Sequence, residues 1–221
     1  MAEAPMSLVT RDQLSDFAAR SERNYLSRMK FAQRMQNRGR LWNAALISLS
    51  TASALVSVAM LKDATIYGPN GAYLWCAIGV LTLIASLVIA NAGYGEKAAL
   101  LFEAYRQFQR ISVDADFASR TLRLRGSRQR TFERLNSEYQ LLLDRTPNHS
   151  PVDFARAMTW RLDREDAAKP ERPSYRYVSL VELAKWRALI ALDIGINCIP
   201  IVLAMGSAAL LVPTLAWMIG G

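Results

Sequence analysis

The residues best placed to do chemistry in this sequence are an acidic and an amide side chain inside a long apolar segment near the C-terminus. Asp193 and Asn197 are four residues apart, so they lie one turn apart on the same face of a helix. An ionisable group within a membrane helix is a functional candidate, because its burial in hydrocarbon is costly without a partner. Asp193 also follows Arg187 closely, so a position at the lipid headgroups is the alternative interpretation.

A second set of polar side chains lies in the first long apolar run, Leu41 to Leu61. Three of them repeat every seven residues and share one helix face, and two small ones four residues apart allow close approach of another helix. Polar groups in hydrocarbon are disfavoured without partners, so this face must meet protein or water. Helix packing and the lining of a pore in an oligomer both satisfy that condition. The residues are Asn43, Ser50, Ser53 and Ser57.

A third set is a cluster of arginines in the middle of the chain. It is either a solvated basic face beside the inner membrane leaflet or a site for an anionic signal such as a nucleotide or RNA. Neither a glycine-rich phosphate loop nor an aromatic stacking platform accompanies it, so direct binding of nucleotide or nucleic acid stays uncertain. The residues are Arg120, Arg123, Arg125, Arg128, Arg130 and Arg134.

The single histidine lies in the segment RTPNHSPVD. A zinc site needs three or four ligands, and no second histidine and no nearby cysteine are available here. We therefore expect a structural loop, with a helix that begins after Ser150 and runs to about Asp163. We expect no metal and no cofactor, and without a nucleophile paired to a base we predict that the chain is not an enzyme. The loop residues are Asn148, His149, Ser150 and Asp153.

Three long apolar segments position these side chains. Leu41 to Leu61 and Ala72 to Tyr94 contain no charged residue, and each is long enough to cross the ~30 Å hydrocarbon layer as a helix. A short polar stretch joins them, which predicts a transmembrane hairpin. Ala188 to Ile219 is a third spanning segment, with bends expected at Pro200 and Pro213. It follows a capping-box pattern that starts a helix at Leu180.

The charges predict the orientation of these spans. Of the 27 Lys and Arg residues, 26 precede Leu41 or lie between Gly95 and Arg187, and only Lys62 lies in the hairpin loop. The positive-inside rule then places the N-terminus in the cytoplasm, and three crossings place the C-terminus in the periplasm.

The predicted fold class is therefore all-α, a membrane protein with an N-terminal two-helix transmembrane hairpin, a cytoplasmic helical region and a C-terminal third transmembrane helix. Residues 1–40 form a cytoplasmic amphipathic helix and residues 41–94 the hairpin. Residues 95–179 form the cytoplasmic helical region, and residues 180–221 form a capped helix leading into the third span. The apolar face of the first segment packs on another helix or on lipid headgroups.

Apolar residues in the cytoplasmic region alternate steps of four and three, which is typical of a helix that buries a narrow seam. A break is expected at residues 124–127, because glycine is costly inside a helix. The first seam comprises Leu101, Tyr105, Phe108, Ser112, Ala115, Ser119 and Leu122, and the second Phe132, Leu135, Tyr139 and Leu142.

This arrangement resembles the SLATT effector family, with the TPNHSPVD stretch as the sharpest local match over roughly residues 15 to 165. SLATT proteins are bacterial two-transmembrane modules of nucleotide-signalling and reverse-transcriptase-linked conflict systems, and the reverse-transcriptase subfamily is most similar. The resemblance implies a pore-forming or membrane-disrupting toxin in the bacterial inner membrane. It would stay inactive until a partner protein senses phage invasion, and would then depolarise the cell and halt phage propagation. The third helix departs from the two-helix plan.

Two functional hypotheses follow. The first is an oligomeric pore-forming effector of abortive infection, with membrane lipids and further copies of the chain as partners. A signalling partner, such as a reverse transcriptase, would trigger it through the cytoplasmic helices. The second is a membrane-anchored scaffold that recruits a nucleotide- or nucleic-acid-bearing partner through the basic face, Arg120 to Arg134.

Overall fold

The computed structural model describes residues 9–122, 124–148, 150–168 and 179–220, and these residues form helices without strands. The predicted all-α class is therefore confirmed. The helices are α1 (Arg11–Lys62), α2 (Gly71–Ala92), α3 (Tyr94–Thr121), α4 (Arg125–Arg145), α5 (Pro151–Ala168), α6 (Leu180–Leu210) and α7 (Val212–Gly220).

The chain folds into two compact units, each assembled from segments that are distant in sequence. The first, called the helical unit, comprises Met1–Arg34 and Lys97–Ile190. The second, called the membrane unit, comprises Met35–Glu96 and Ala191–Gly221. Helix α1 is continuous from Arg11 to Lys62 and contributes residues to both units.

An aromatic cluster forms the core of the helical unit. Phe17 on α1 and Phe108 on α3 each meet the ring of Tyr139 on α4 edge to face, with centroids 5.4 Å apart. Small residues let α1 and α3 approach closely, since Ser21 Oγ donates to the Phe108 carbonyl at 3.2 Å and Ser112 Oγ donates to that of Ala18 at 3.1 Å. The apolar face of the N-terminal segment thus packs on other helices.

Both predicted seams point inward in the helical unit. Five of the seven residues of the first seam are buried, and Tyr105 and Leu122 are half-buried. In the second seam Leu135 and Tyr139 are buried, and Phe132 and Leu142 are half-buried. The break between α3 and α4 lies slightly earlier than expected, after Thr121, and Gly126 falls in the first turn of α4.

Two predicted helix starts are confirmed, at Pro151 for α5 and Leu180 for α6. The Glu182 N–H lies 3.4 Å from Ser179 Oγ, as a capping pattern requires. Helix α5 extends to Ala168, beyond the predicted end at Asp163. Its Ala157 and Met158 pack on Leu26 of α1, with Trp186 of α6 at the edge of the same cluster.

Three helices among the described residues are long and apolar enough to cross a membrane, and they contain the first two predicted spans and residues 188–217 of the third. Within the membrane unit, α2 runs antiparallel to α1. It begins at Gly71, where an added Cβ would lie 2.6 Å from Tyr67 Cβ. It ends at Ala92, and Gly93 is its C-cap. Gly93 has φ +60°, a left-handed conformation that glycine adopts without strain, and α3 starts at the next residue.

Helices α6 and α7 run parallel to α1 in the membrane unit. Successive contacts advance along both, from Arg38 with Asp193, to Ser48 with Ser207, to Lys62 over the Trp217 ring at 4.9 Å. Pro200 is buried and does not interrupt α6. The helix breaks instead at Leu211, shortly before Pro213, which has no N–H for the carbonyl four residues earlier and whose ring clashes with that carbonyl.

The face of α6 and α7 that is turned toward α1 follows steps of four and three and is mostly small or polar. Its buried or half-buried positions in the membrane unit are Asp193, Asn197, Pro200, Ala204, Ser207, Leu211, Thr214 and Trp217. The other positions of α6 are mainly exposed apolar side chains, as suits contact with lipid.

Candidate functional site

A polar face on α1 is left uncovered by the membrane unit. Asn43, Ser50 and Ser57 are exposed, whereas α1 packs within the unit through a different face that includes Ala52 and Val56. The Ser57 hydroxyl donates to the backbone of Ser53 at 2.7 Å, so it is satisfied within the helix. The described residues of the unit therefore leave Asn43 and Ser50 exposed.

Ser53 has a different environment from the other three predicted residues. It is half-buried, and its Oγ lies 3.9 Å from the position that a Cβ on Gly79 of α2 would occupy. The pair of small residues lets α1 and α2 come close together. Ser53 thus packs beside α2 within the chain.

Asp193 and Asn197 form a closed network with an arginine of α1. Arg38 Nη2 lies 2.7 Å from Asp193 Oδ1, and Arg38 Nε donates to Asn197 Oδ1 at 2.9 Å. Asn197 Nδ2 completes the network by donating to Asp193 Oδ2 at 3.1 Å. Asp193 is 3% exposed and Arg38 19%. The three side chains fix α6 against α1, and neither Asp193 nor Asn197 joins the exposed polar face.

The level of this network along the helices follows from Arg38, which precedes the first apolar run by three residues. Asp193 is therefore level with the beginning of that run, far from its middle. A charge at the end of a span costs less than one at its centre, and the ion pair reduces the cost further. Arg38 was not among the predicted site residues, because in the sequence it is one more positive charge among many.

Two further polar contacts join α1 and the connecting loop to α6 and α7. The Ser48 and Ser207 hydroxyls lie 2.6 Å apart, and both approach the Ala204 carbonyl. At the loop end, the Tyr67 hydroxyl lies 2.5 Å from the Leu210 carbonyl and 2.7 Å from Thr214 Oγ1. These contacts satisfy polar groups inside the unit, as hydrocarbon surroundings require.

The predicted basic face is partly neutralised by its own helices. Arg120 pairs with Asp116 at 3.0 Å and Arg134 with Glu138 at 2.9 Å, and all four side chains are exposed. Arg130 is exposed and Arg128 half-buried. Arg123 and the side chain of Arg125 lie outside the described residues. The described members therefore present a mixed surface on which two arginines already have carboxylate partners.

The predicted structural loop holds the start of α5 against α1. Asp153 Oδ2 accepts hydrogen bonds from the Ser150 hydroxyl at 2.7 Å and from its N–H at 3.1 Å. Arg34 Nη2 of α1 lies 2.8 Å from the same oxygen and 3.0 Å from Ser150 Oγ. Asp153 is fully buried and Asn148 exposed, and His149 lies outside the described residues.

No group of three or more histidine, cysteine or acidic side chains that could hold a metal occurs within the described part of the chain. Cys76 and Cys198 are free thiols on exposed faces. The polar side chains that converge do so as ion pairs and caps between helices, which is an arrangement that holds helices together.

A family model for the SMODS and SLOG-associating 2TM effector domain, family 5, matches residues 11–219. The matched region goes beyond residues 15 to 165 and includes α6 and nearly all of α7, so the third apolar helix lies within the family's domain. No curated protein and no solved structure matches the chain. Family membership and three apolar helices indicate a membrane effector of defence systems. The chain thus belongs to family 5 of the SMODS and SLOG-associating two-transmembrane effector domains.

Proposed function

We propose that the chain is an oligomeric effector of the bacterial inner membrane that permeabilises the membrane when a signalling partner acts on its helical unit. The observation that carries this proposal is the exposed polar face of α1, formed by Asn43, Ser50 and Ser57.

Three polar side chains at heptad spacing on a lipid-exposed helix require protein or water opposite them. A second copy of the chain supplies both, because α1 helices brought together would cover the face or surround a polar path. The proposal requires several chains, since the described residues of one chain supply three helices that are able to span the membrane. The proposal therefore places Asn43, Ser50 and Ser57 at the oligomer interface or along the permeation path.

The distribution of charge supports an orientation with the helical unit in the cytoplasm. The membrane unit holds three of the 27 Lys and Arg residues, which are Arg38, Arg40 and Lys62, and the helical unit holds the other 24. The positive-inside rule retains such a segment in the cytoplasm. With that orientation, the parallel course of α6 and α1 supports a C-terminus on the periplasmic side.

The family's description associates its members with SMODS and SLOG proteins, and we propose a partner of that kind or a reverse transcriptase as the source of the signal. The signal would reach the helical unit, where most of the soluble surface lies. The alternative, a scaffold that recruits nucleic acid through the basic face, is less well supported because Arg120 and Arg134 already pair with carboxylates.

The test is depolarisation of cells that express the chain with its genomic partner, followed with a membrane-potential dye. The double substitution Ser50→Leu with Ser57→Leu is expected to reduce depolarisation strongly, because it makes the exposed face apolar. Thr51→Leu is the matched control, since Thr51 is an exposed hydroxyl of the same helix about 100° away from Ser50.

Thr51→Leu is expected to behave like the wild-type chain. An intact membrane potential in triggered wild-type cells, with the oligomer confirmed by crosslinking, would contradict the proposed function. Equal depolarisation by the double variant and the wild type would remove Ser50 and Ser57 from the permeation path.

A further inference from the structure

A buried arginine in the core of the helical unit has a charge that the described structure does not balance. Arg28 lies on α1 and is 0% exposed. None of its three guanidinium nitrogens has a hydrogen-bond partner among the described residues. The guanidinium lies over the ring of Phe108, whose centroid is 4.6 Å from the guanidinium carbon.

The other two arginines that α1 carries into the protein interior are arranged differently. Arg34 lies 2.8 Å from Asp153 and Arg38 lies 2.7 Å from Asp193, so each cation faces a buried carboxylate. Burial of a charge costs much less when it is paired and hydrogen-bonded. Arg28 is therefore an exception within its own helix.

The surroundings of Arg28 explain why its charge is poorly accommodated. Tyr139 is the nearby titratable group, and its hydroxyl accepts a hydrogen bond from Asn24. Burial lowers the pKa of Arg28, and the interaction with Tyr139 opposes that effect only in part. A cation over an aromatic ring is favourable, yet it does not replace the hydration of five N–H donors.

We propose that Arg28 makes the packed helical unit metastable, so that separation of α1 from α3, which hydrates the guanidinium, is the step that the signalling partner drives. The packed unit is held closed by its apolar core, in which Phe17, Phe108, Leu135 and Tyr139 are buried. Hydration of Arg28 offsets part of the cost of opening that core. The role of a partner in this opening rests on the proposed function, whereas the metastability of the packed unit rests on the buried charge of Arg28 alone.

The test compares Arg28→Met with Arg28→Lys in the purified full-length protein in detergent. Methionine keeps the apolar stem and removes the charge, whereas lysine keeps a charge at the same place. We expect Arg28→Met to raise the Tm and to slow amide hydrogen exchange in α1 about tenfold or more, because replacing an uncompensated buried charge with an apolar group stabilises a core. Arg28→Lys is expected to show neither gain.

Arg34→Met is the matched control, since it removes a buried arginine that has a carboxylate partner, and its Tm is expected to fall. In cells, Arg28→Met is expected to weaken depolarisation at a given amount of partner. A lower Tm or unchanged exchange in Arg28→Met would overturn the inference. Should the wild-type chain not depolarise cells at all, the proposed function fails, and the Tm and exchange measurements still decide the role of Arg28.

Discussion

The network of Arg38, Asp193 and Asn197 offers the sharpest test of how the membrane unit is held together. Asp193→Ala removes the carboxylate and leaves Arg38, whose side chain is only 19% exposed, without an anionic partner. Loss of one partner from a buried ion pair costs about 3 to 5 kcal/mol, because the remaining charge stays desolvated. Since Arg38 keeps some exposure at the end of the span, we expect a value near the lower limit, about 3 kcal/mol.

Two companion variants separate charge from packing. Asp193→Asn keeps an acceptor for Arg38 and the contact with Asn197, and should cost about 1.5 to 3 kcal/mol, the range for a hydrogen bond to a charged group. The double variant Arg38→Met with Asp193→Leu removes both charges and should recover most of the loss, because apolar replacement of a whole buried pair is nearly neutral or stabilising.

The assay is thermal unfolding of the purified protein in detergent, analysed as a double-mutant cycle. At about 2 to 4 °C per kcal/mol for a chain of this size, Asp193→Ala should lower the Tm by about 6 to 12 °C. Glu96→Ala, which removes an exposed carboxylate of the same unit, is the control and should leave the Tm nearly unchanged. A coupling energy near zero, or a double variant as unstable as the single one, would refute the reasoning.

Two further predictions concern backbone and loop geometry. Gly71→Ala should lower stability by about 1 to 3 kcal/mol in thermal unfolding, because the new Cβ would lie 2.6 Å from a side-chain carbon. Gly95→Ala, with no heavy atom within 4 Å of its added Cβ, should not destabilise, and equal effects would contradict the steric argument. Asp153→Ala should lower the Tm and expose α5 to limited proteolysis, since it leaves Arg34 buried without its carboxylate. A second change, Arg34→Met, should restore part of that loss, and no restoration would show that the ion pair is not the cause.

Local signals in the sequence predict most of the fold. The apolar runs that begin at Leu41, Ala72 and Ala188 coincide with the three helices that are able to span a membrane. Caps are read from a few adjacent residues, which is why the helix starts at Pro151 and Leu180 are correct. The boundary placed at Leu41, between the amphipathic segment and the first apolar run, lies inside α1, because a change in composition from charged to apolar does not by itself interrupt helical hydrogen bonds.

The contacts that close each unit are not visible in the sequence. Arg38 and Asp193 are 155 positions apart and Arg34 and Asp153 are 119 apart, and neither arginine differs from its basic neighbours in any local pattern. Specific pairing over such separations is set by tertiary packing. The exposed polar face of α1 was visible as a heptad pattern, and its role in permeation stays a prediction.

The division of each unit between early and late parts of the chain has a consequence for biosynthesis. Arg38 is translated 155 residues before the carboxylate that neutralises it. At about 5 to 20 residues per second, ribosomes take on the order of 10 to 30 s to cover that interval. During this time Arg38 is present without the carboxylate of Asp193. The ion pair between Arg38 and Asp193 therefore cannot form until Asp193 has been translated, so products truncated before Asp193 would lack it.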